Sequence, residues 1–410
     1  MPAPGVRIDP SVRLLLECFR APSAALGATE GEWDGVVRVA RAARLLGPLG
    51  ARLAAQGVLE RIPPPVRAHF DSEQALVAHR TQMARRLLGE LGRLLGGRGF
   101  PLVALKGSAY LLQGLACARG RLFNDVDLMV PRAHLDAVEG LLREAGWEFA
   151  ESLDAYDERY YREWSHELPP LEHPGHPLQL DLHHSLLPPV GRVRPNDAAL
   201  CADSVAVEGT PFRVLAPADQ VLHVCAHVFQ DSDLAEMLRD VSDVDALLRE
   251  YATRPGFADE LVARARVHGL GRALWYGAEF SGALFGTPGA DALKAALAFA
   301  APGAAARRAM ARLGARALLP ESPDRLPSLA RRRRGSSCSC VTSSCAFRCG
   351  CWCCTRRTRG RGGCGGGVRA GRLDPSRRGD DDRRARDAAF SHGGVGALAL
   401  ARPMWHSNRR

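Results

Sequence analysis

Two aspartates separated by a single residue are the side chains of this sequence best placed to do chemistry. Asp125 and Asp127 lie in the segment Asn124 to Val130, whose apolar residues indicate a strand. Side chains two apart on a strand share one face, so these carboxylates would lie about 7 Å apart along it. Mg²⁺ prefers oxygen ligands and is usually bound by one or two carboxylates together with substrate phosphates. The pair therefore indicates phosphoryl or nucleotidyl transfer.

A turn that could hold phosphate precedes this pair. Leu105-Lys106-Gly107-Ser108 ends an apolar segment, and a helix beginning at Ser108 would present the backbone amides of Gly107 and Ser108 at its positive end. Lys106 is one of only two lysines in the chain. Its compact ammonium suits a phosphate oxygen, although a lysine at this position could also lie at the protein surface with its charge in water. We predict that Lys106, Gly107 and Ser108 bind a triphosphate.

A third carboxylate is expected in the segment Leu178 to His184. Leucines there alternate with Gln179, Asp181 and His183, which is typical of a half-buried strand with Asp181 and His183 on the same face. His183 could position Asp181 or the acceptor. Arg121 either pairs with Asp125 or Asp127 or contacts the nucleotide.

Taken together, these residues resemble the bacterial uncharacterised nucleotidyltransferases of the DNA polymerase beta-like superfamily. Members look like a strand ending in Leu-Lys-Gly, a helix, an Arg before Asp-x-Asp-Leu-Leu-Val, and a later strand with Asp-Leu-His-Trp. The chain matches this pattern with Lys106, Gly107, Arg121, Asp125, Asp127, Asp181 and His183. It departs from it at His184, which replaces the usual Trp.

The resemblance implies a Mg²⁺-dependent enzyme that moves a nucleoside monophosphate from a nucleoside triphosphate to a hydroxyl group and releases pyrophosphate. Asp125 and Asp127 would bind two Mg²⁺ ions, and Asp181 would bind one of them and help to deprotonate the acceptor. The acceptor, whether a small molecule, a peptide or a protein, is not identified by the sequence. The alternative is a non-catalytic nucleotide-sensing or partner-binding protein on the same fold. Because two close carboxylates repel, Asp127→Asn is expected to melt no lower than the parent protein.

Composition divides the chain of 410 residues into two unlike parts. Residues 331–410 contain 19 Arg, 5 Asp and eight of the twelve cysteines, with no Lys or Glu, so their net charge of +14 leaves residues 1–330 at −4 out of +10 overall. We interpret residues 321–410 as a disordered or out-of-frame tail. A cysteine metal cluster and nucleic-acid binding by the arginines are the alternatives; nucleic acid is not otherwise expected as a partner.

Other residues suggest little additional chemistry. His166, His173 and His176 cluster in one segment, so a transition-metal site there remains an alternative. Cys18, Cys117, Cys201 and Cys225 are scattered, which does not suggest secreted disulfides. The N-terminus lacks a signal-peptide pattern, and no apolar run reaches membrane-spanning length. We therefore expect a cytoplasmic protein with no membrane partner.

Hydrophobic spacing predicts an α+β fold, in which a small mixed sheet forms a nucleotidyltransferase core that is flanked by helices and followed by a helical bundle. The predicted divisions are N-terminal helices in 1–98, the catalytic core in 99–215, a helical domain in 216–320 and the tail. Strands are predicted near 102–105, 125–130, 147–152 and 178–184, and an irregular loop or hairpin at 155–177. Helices are predicted near 10–20, 34–56, 72–96, 108–117, 133–145, 217–230, 234–251, 258–268, 271–285, 289–300 and 303–318.

Overall fold

The N-terminal part of the protein is helical. The computed structural model describes residues 8–231 and 233–320, which lie in one compact unit. The first helices are α1 (Pro10–Arg20), α2 (Glu30–Ala42), α3 (Leu46–Ala55) and α4 (Pro64–Leu95). The single helix predicted at 34–56 is therefore two helices, and between them Arg44 adopts a positive φ of 56°, which an α-helix does not tolerate. Thr29 and Glu32 cap α2 reciprocally.

A seven-stranded mixed sheet follows the N-terminal helices. Its order is β3-β4-β5-β2-β1-β7-β6, with β1 antiparallel to β2 and parallel to β7, and β2 parallel to β5. The strands are β1 (Val103–Ala104), β2 (Asp125–Met129), β3 (Glu148–Phe149), β4 (Leu171–His173), β5 (His176–His183), β6 (Val205–Ala206) and β7 (Arg213–Val214). The helices among them are α5 (Lys106–Gln113), α6 (Leu135–Glu144), α7 (Ala155–Glu163) and α8 (Asp197–Ala202). The predicted α+β fold with a mixed sheet is confirmed.

Helices then complete the described chain. They are α9 (Pro217–Ala226), which continues into a π-helical turn (His227–Asp231), α10 (Leu238–Tyr251), α11 (Phe257–Val267), α12 (Gly271–Phe285), α13 (Ala290–Ala296) and α14 (Ala304–Leu318). Pro217 occupies the first turn of α9, where a missing N–H costs nothing. These helices agree with the predicted helical pattern, apart from shifts at their ends.

Two further local features differ from the predictions. Residues 155–163 form helix α7, where an irregular segment was predicted; Asp154 caps it by accepting hydrogen bonds from the amides of Tyr156 and Asp157. The short β6–β7 pair was not predicted, because two-residue strands carry no readable alternation. Its strand β7 extends the sheet beyond β1.

One buried hydrophobic cluster extends from Val12 to Leu319 and includes residues of all three predicted divisions. The boundaries at 98 and 215 stay a prediction. The predicted tail at 321–410 lies outside the described residues. In the part of the chain that the structure describes, no helix combines the length and apolar character needed to cross a membrane.

Candidate active site

The parallel pairing of β2 with β5 brings the predicted carboxylates together. Its register places Asp127 beside Asp181. On either side of this pair, Asp125 lies beside Gln179 and Met129 lies beside His183. Residues in register on parallel neighbouring strands point to the same face of the sheet. Three of the predicted residues, Asp125, Asp127 and Asp181, therefore share one face of two adjacent strands.

Lys106 and Ser108 attach the turn after β1 to the acidic strand. The Lys106 ammonium donates to Asp127 Oδ1 at 2.9 Å, and the Asp127 backbone N–H donates to Ser108 Oγ at 3.2 Å. The helix predicted to begin at Ser108 begins two residues earlier in the structure, at Lys106, and has no side-chain cap. Lys106 adopts φ of +43°, a conformation that costs a non-glycine residue roughly 1–2 kcal/mol.

Gly107 allows a close approach in the first turn of α5. A Cβ atom at this position would lie 2.7 Å from Nε of Arg121 and 3.2 Å from the Phe123 ring. Any side chain here would have to displace the arginine. The glycine therefore sets how closely Arg121 packs against the turn.

His183 connects two carboxylates of the site. Its Nε2 lies 3.2 Å from Asp127 Oδ1 and 3.4 Å from Glu167 Oε2, and its side chain is fully buried. Glu167 was not among the predicted site residues. It reaches the site because Glu167 and His183 form an antiparallel bridge next to β5.

The carboxylates have different proton affinities. Burial would raise the pKa of Asp127, but Lys106 and His183 outweigh burial and hold that pKa well below its ordinary value. Burial, with Glu167 and Asp125, raises the pKa of Asp181 well above it. The pKa of Asp125 is also raised, because surrounding protein displaces water and Asp127 lies close, although the side chain itself remains accessible, as in an open cleft. The site thus holds more negative charge than its own side chains neutralise.

Carboxylates of the site stabilise the charged form of Lys106. Burial would lower the pKa of its ammonium, but Asp127, followed by Glu167, outweighs that effect and raises the pKa. The side chain is 16% exposed, so a ligand can still contact it. Lys106 is therefore charged in the neutral pH range.

Arg121 pairs with an aspartate other than the two predicted from the sequence. Its buried guanidinium forms an ion pair with Asp243 of α10, and its charged group lies 5.7 Å from the centroid of the Tyr110 ring. Asp240, one turn before Asp243, pairs with Arg239 at 3.0 Å. The structure does not join Arg121 to Asp125 or Asp127 by an ion pair among the described contacts, and its role toward nucleotide stays a prediction.

The remaining histidines divide between the site and its surroundings. Burial and Arg132 lower the pKa of His184 to about 4, consistent with a neutral, packed side chain. Burial, with Lys106 nearby, lowers the pKa of His223 on α9 well below its ordinary value. His176 pairs with Glu90 of α4 at 2.8 Å and stacks on Trp147. His166, by contrast, lies beside Glu167 and His183.

The sequence carries only a weak signal for Glu167. In Ser165-His166-Glu167-Leu168, the polar pair His166-Glu167 precedes a leucine. In Leu182-His183-His184, a leucine precedes two histidines. Because the surrounding residues 155–177 lack a clear period, this short pairing was not recognised. Nothing in the sequence alone indicates that Arg121 and Asp243, 122 residues apart, form a pair.

A comparison with protein-family models gives one match for this chain. The model described as "uncharacterised nucleotidyltransferase" matches residues 29–286, which is more than half of the sequence and includes every residue of the site described above. No curated protein and no solved structure matches the chain significantly.

Proposed function

Because this chain belongs to the family of uncharacterised nucleotidyltransferases, we propose that it is a Mg²⁺-dependent enzyme transferring a nucleoside monophosphate from a nucleoside triphosphate to a hydroxyl-bearing acceptor. Asp125, Asp127 and Asp181 would hold two Mg²⁺ ions, which supply the positive charge that developing phosphate oxygens need. The oxygen donors and the surplus negative charge of these side chains fit such ions.

The triphosphate would bind at the start of α5. Backbone amides of the first turn, at Lys106, Gly107 and Ser108, lie at the positive end of a helix that no side chain caps. The Lys106 ammonium lies 2.9 Å from Asp127, so a phosphate oxygen near the acidic strand is within its reach. We propose that, when the nucleotide binds, the Lys106 ammonium donates a hydrogen bond to the triphosphate and contacts Asp127 less closely.

The acceptor would react on the Asp181 side of the site. Asp181 lies in register with Asp127 on the neighbouring strand, so its carboxylate is placed to take the proton from the acceptor hydroxyl. The acceptor oxygen then forms a bond to the α-phosphorus, the bond from that phosphorus to the bridging oxygen breaks, and pyrophosphate leaves. His183 holds Asp127 in place through Nε2 and is a positioning residue in this scheme.

One observation carries the proposal: the β2–β5 register that sets Asp127 beside Asp181, next to the Lys106-Gly107 turn. Isolated Asp-x-Asp segments are common on protein surfaces and would not support it. Here a charged lysine, a histidine and a third carboxylate lie close to the pair. Together with the family, this combination favours nucleotidyl transfer.

The test follows the fate of the labelled α-phosphate. Purified protein is incubated with Mg²⁺, cell extract and nucleoside triphosphates labelled at the α- or the γ-position. The proposal predicts label transfer to an acceptor from the α-position only, with pyrophosphate released and no transfer by Asp127→Asn. Asp136→Asn is the matched control, because it makes the same change at an exposed aspartate of α6.

Two results would contradict the proposal. Transfer of the γ-label would indicate a kinase, and retained turnover in Asp127→Asn would move the reaction to another site. Mg²⁺-dependent nucleotide binding without transfer, in any extract or with any nucleotide base, would favour the non-catalytic nucleotide-sensing alternative.

A further inference from the structure

Glu167 and His183 face each other across two antiparallel backbone segments. The N–H of Leu168 donates to the carbonyl of Leu182, and the N–H of His184 donates to that of His166, each at 2.9 Å. These two hydrogen bonds flank the Glu167–His183 pair and do not join the two residues directly. Glu167 and His183 are therefore a non-hydrogen-bonded antiparallel pair, in which the side chains lie closer together than in a hydrogen-bonded pair. The backbone therefore fixes the two side chains side by side.

His166 completes a group of three nitrogen and oxygen donors. Its Nε2 lies 3.7 Å from Glu167 Oε2, which in turn lies 3.4 Å from Nε2 of His183. One donor atom from each of the three residues falls within 4.8 Å of the others. Both histidines are buried, and Glu167 is partly buried. The three side chains thus converge on a small, largely enclosed volume.

Two of the three separations are close to the edges of a metal coordination shell. Zn²⁺ binds imidazole nitrogen and carboxylate oxygen at about 2.0–2.2 Å in tetrahedral geometry, so neighbouring ligand atoms lie roughly 3.3–3.6 Å apart. The contacts at 3.4 and 3.7 Å are close to this range. Two imidazoles and one carboxylate, with a fourth position open, also form a ligand set found in catalytic zinc sites.

We propose that His166, Glu167 and His183 bind a divalent transition-metal ion of the Zn²⁺ class, beside but separate from the aspartates assigned above to Mg²⁺. Imidazole donors favour such an ion over Mg²⁺, which selects oxygen. Asp127 Oδ1 lies 3.2 Å from Nε2 of His183, so the two sites are adjacent, and a metal ion bound at Nε2 would replace the hydrogen bond from His183 to Asp127. This proposal goes beyond the transfer reaction and does not depend on it, because metal uptake is measured without nucleotide.

The surrounding charge favours a cation at this position. Asp127 and Asp181 lie in register on β2 and β5, and the Glu167 segment pairs with the end of β5, so three carboxylates lie close together. Lys106 and His223 also face the group. Without a metal ion, the Nε2–H of His183 could be shared between Asp127 and Glu167, and this hydrogen bonding is the competing explanation that the experiment separates.

The experiment measures Co²⁺ and Zn²⁺ uptake by the full chain after treatment with a chelator. We expect wild type to bind one more equivalent than Glu167→Gln or His166→Gln, or to bind that equivalent at least ~100-fold more tightly. The tail cysteines are present in every variant, so any metal that they bind contributes equally to wild type and variant and does not affect the difference in uptake between them. The spectrum of Co²⁺ bound by nitrogen and oxygen would also lack the thiolate charge-transfer bands that Co²⁺ bound by the tail cysteines would show.

Two controls locate the ion. His176→Gln removes a histidine that also pairs with a glutamate but has no third ligand in the group, and it should keep full uptake. Asp125→Asn alters the aspartate site and should keep it as well. Should the glutamine variants unfold, the wild-type protein still decides: Zn²⁺ raises its melting temperature, and excess Mg²⁺ does not reverse the rise.

The proposal is overturned if wild type and Glu167→Gln take up the same number of ions with the same affinity. It is overturned equally if Asp125→Asn abolishes uptake, since the ion would then occupy the aspartate site. Absence of Zn²⁺-dependent stabilisation in wild type would also overturn it and leave hydrogen bonding by His183 Nε2–H as the explanation. None of these results would affect the nucleotidyl-transfer test, which uses Mg²⁺ and labelled nucleotide.

Discussion

At the scale of single residues, the two aspartates of β2 have opposite electrostatic surroundings. Asp127 is buried and contacts both Lys106 and His183, so its charge is compensated. Asp125 lies in an accessible position, and the structure gives it no direct ion pair among the described contacts. The sequence-based expectation that Asp127→Asn melts no lower than the parent does not consider this compensation, and the contacts reverse its sign.

We therefore predict that Asp127→Asn lowers stability while Asp125→Asn, without metal, raises it. Removing the Asp127 charge leaves the Lys106 ammonium without its closest partner, which costs on the order of 3 kcal/mol for a buried pair. Removing the Asp125 charge relieves repulsion. Thermal unfolding in the presence of a chelator measures both changes, and equal shifts in the same direction would contradict the assigned contacts.

At the scale of elements, buried ion pairs connect the sheet to the C-terminal helices. Arg121, just before β2, pairs with Asp243 of α10. On the neighbouring helices, Arg264 of α11 donates two hydrogen bonds to Asp219 of α9, at 2.9 and 2.5 Å. Removing one partner of such a pair is expensive because the other charge stays buried.

A double-mutant cycle separates the two roles considered for Arg121. We expect Arg121→Met and Asp243→Asn each to cost about 3 kcal/mol of unfolding free energy, and the double variant to cost much less than their sum. Denaturant unfolding gives these values. If Arg121 contacts the nucleotide instead, Arg121→Met would weaken Mg²⁺-nucleotide binding far more than Asp243→Asn does; equal binding by the two variants would support a structural role.

The Asp219 ion pair makes part of the stability depend on pH. Burial would raise the pKa of this carboxyl, but His268 and Arg264 outweigh burial and hold the pKa below its ordinary value. A carboxyl whose pKa is lowered by folding contributes stability above its unfolded pKa of about 3.9 and loses it as the pH falls.

Asp219→Asn should therefore cost on the order of 3 kcal/mol at pH 7, and this cost should shrink as the pH falls below about 4. Unfolding of both proteins between pH 7 and pH 3 measures the difference. Asp203 provides the control: it also pairs with Arg264, at 2.6 Å, but its side chain is 50% exposed. Asp203→Asn should cost less than ~1 kcal/mol. A cost at Asp219 that is independent of pH would contradict the ionic explanation.

Much of this architecture could be predicted because its patterns are local. The alternation in Leu178 to His183 predicts a strand with Asp181 and His183 on one face, and that strand exists as β5. Helix α7 could not be predicted from its polar, Tyr-rich sequence, since its helical conformation depends on the Asp154 cap and on packing. Glu167 was missed because its position depends on pairing with a segment that lies 16 residues further along the chain.

At the scale of the whole molecule, the fold and the basic tail are separable by composition. The residues before 330 carry a net charge of −4 and supply the described core, whereas those after it carry +14 and few large apolar side chains. The sequence-based interpretation of the tail rests on this composition, because a segment with few apolar residues gains little from burial against an ordering entropy of roughly 1–2 kcal/mol per residue for the backbone.

A chain that ends at Ala330 is therefore expected to keep the melting temperature and the Mg²⁺-dependent nucleotide affinity of the full protein. Thermal unfolding and nucleotide titration of the two proteins make the comparison. A melting temperature lower by several degrees in the shortened protein would show that the tail contributes to the fold, and the interpretation of residues 321–410 as disordered or out of frame would then be wrong.

The long sequence separation between Arg121 and Asp243 also has a consequence in time. Every side chain of the proposed active site lies between Lys106 and His183, so a growing chain holds all of them before α10 is made. At roughly 5–20 residues per second, the 60 residues from His183 to Asp243 take about 3–12 s to synthesise. During that interval Arg121 has no partner to neutralise it, and the nascent sheet cannot close around it without cost. We infer that final burial of the catalytic half waits for the helical half to emerge from the ribosome.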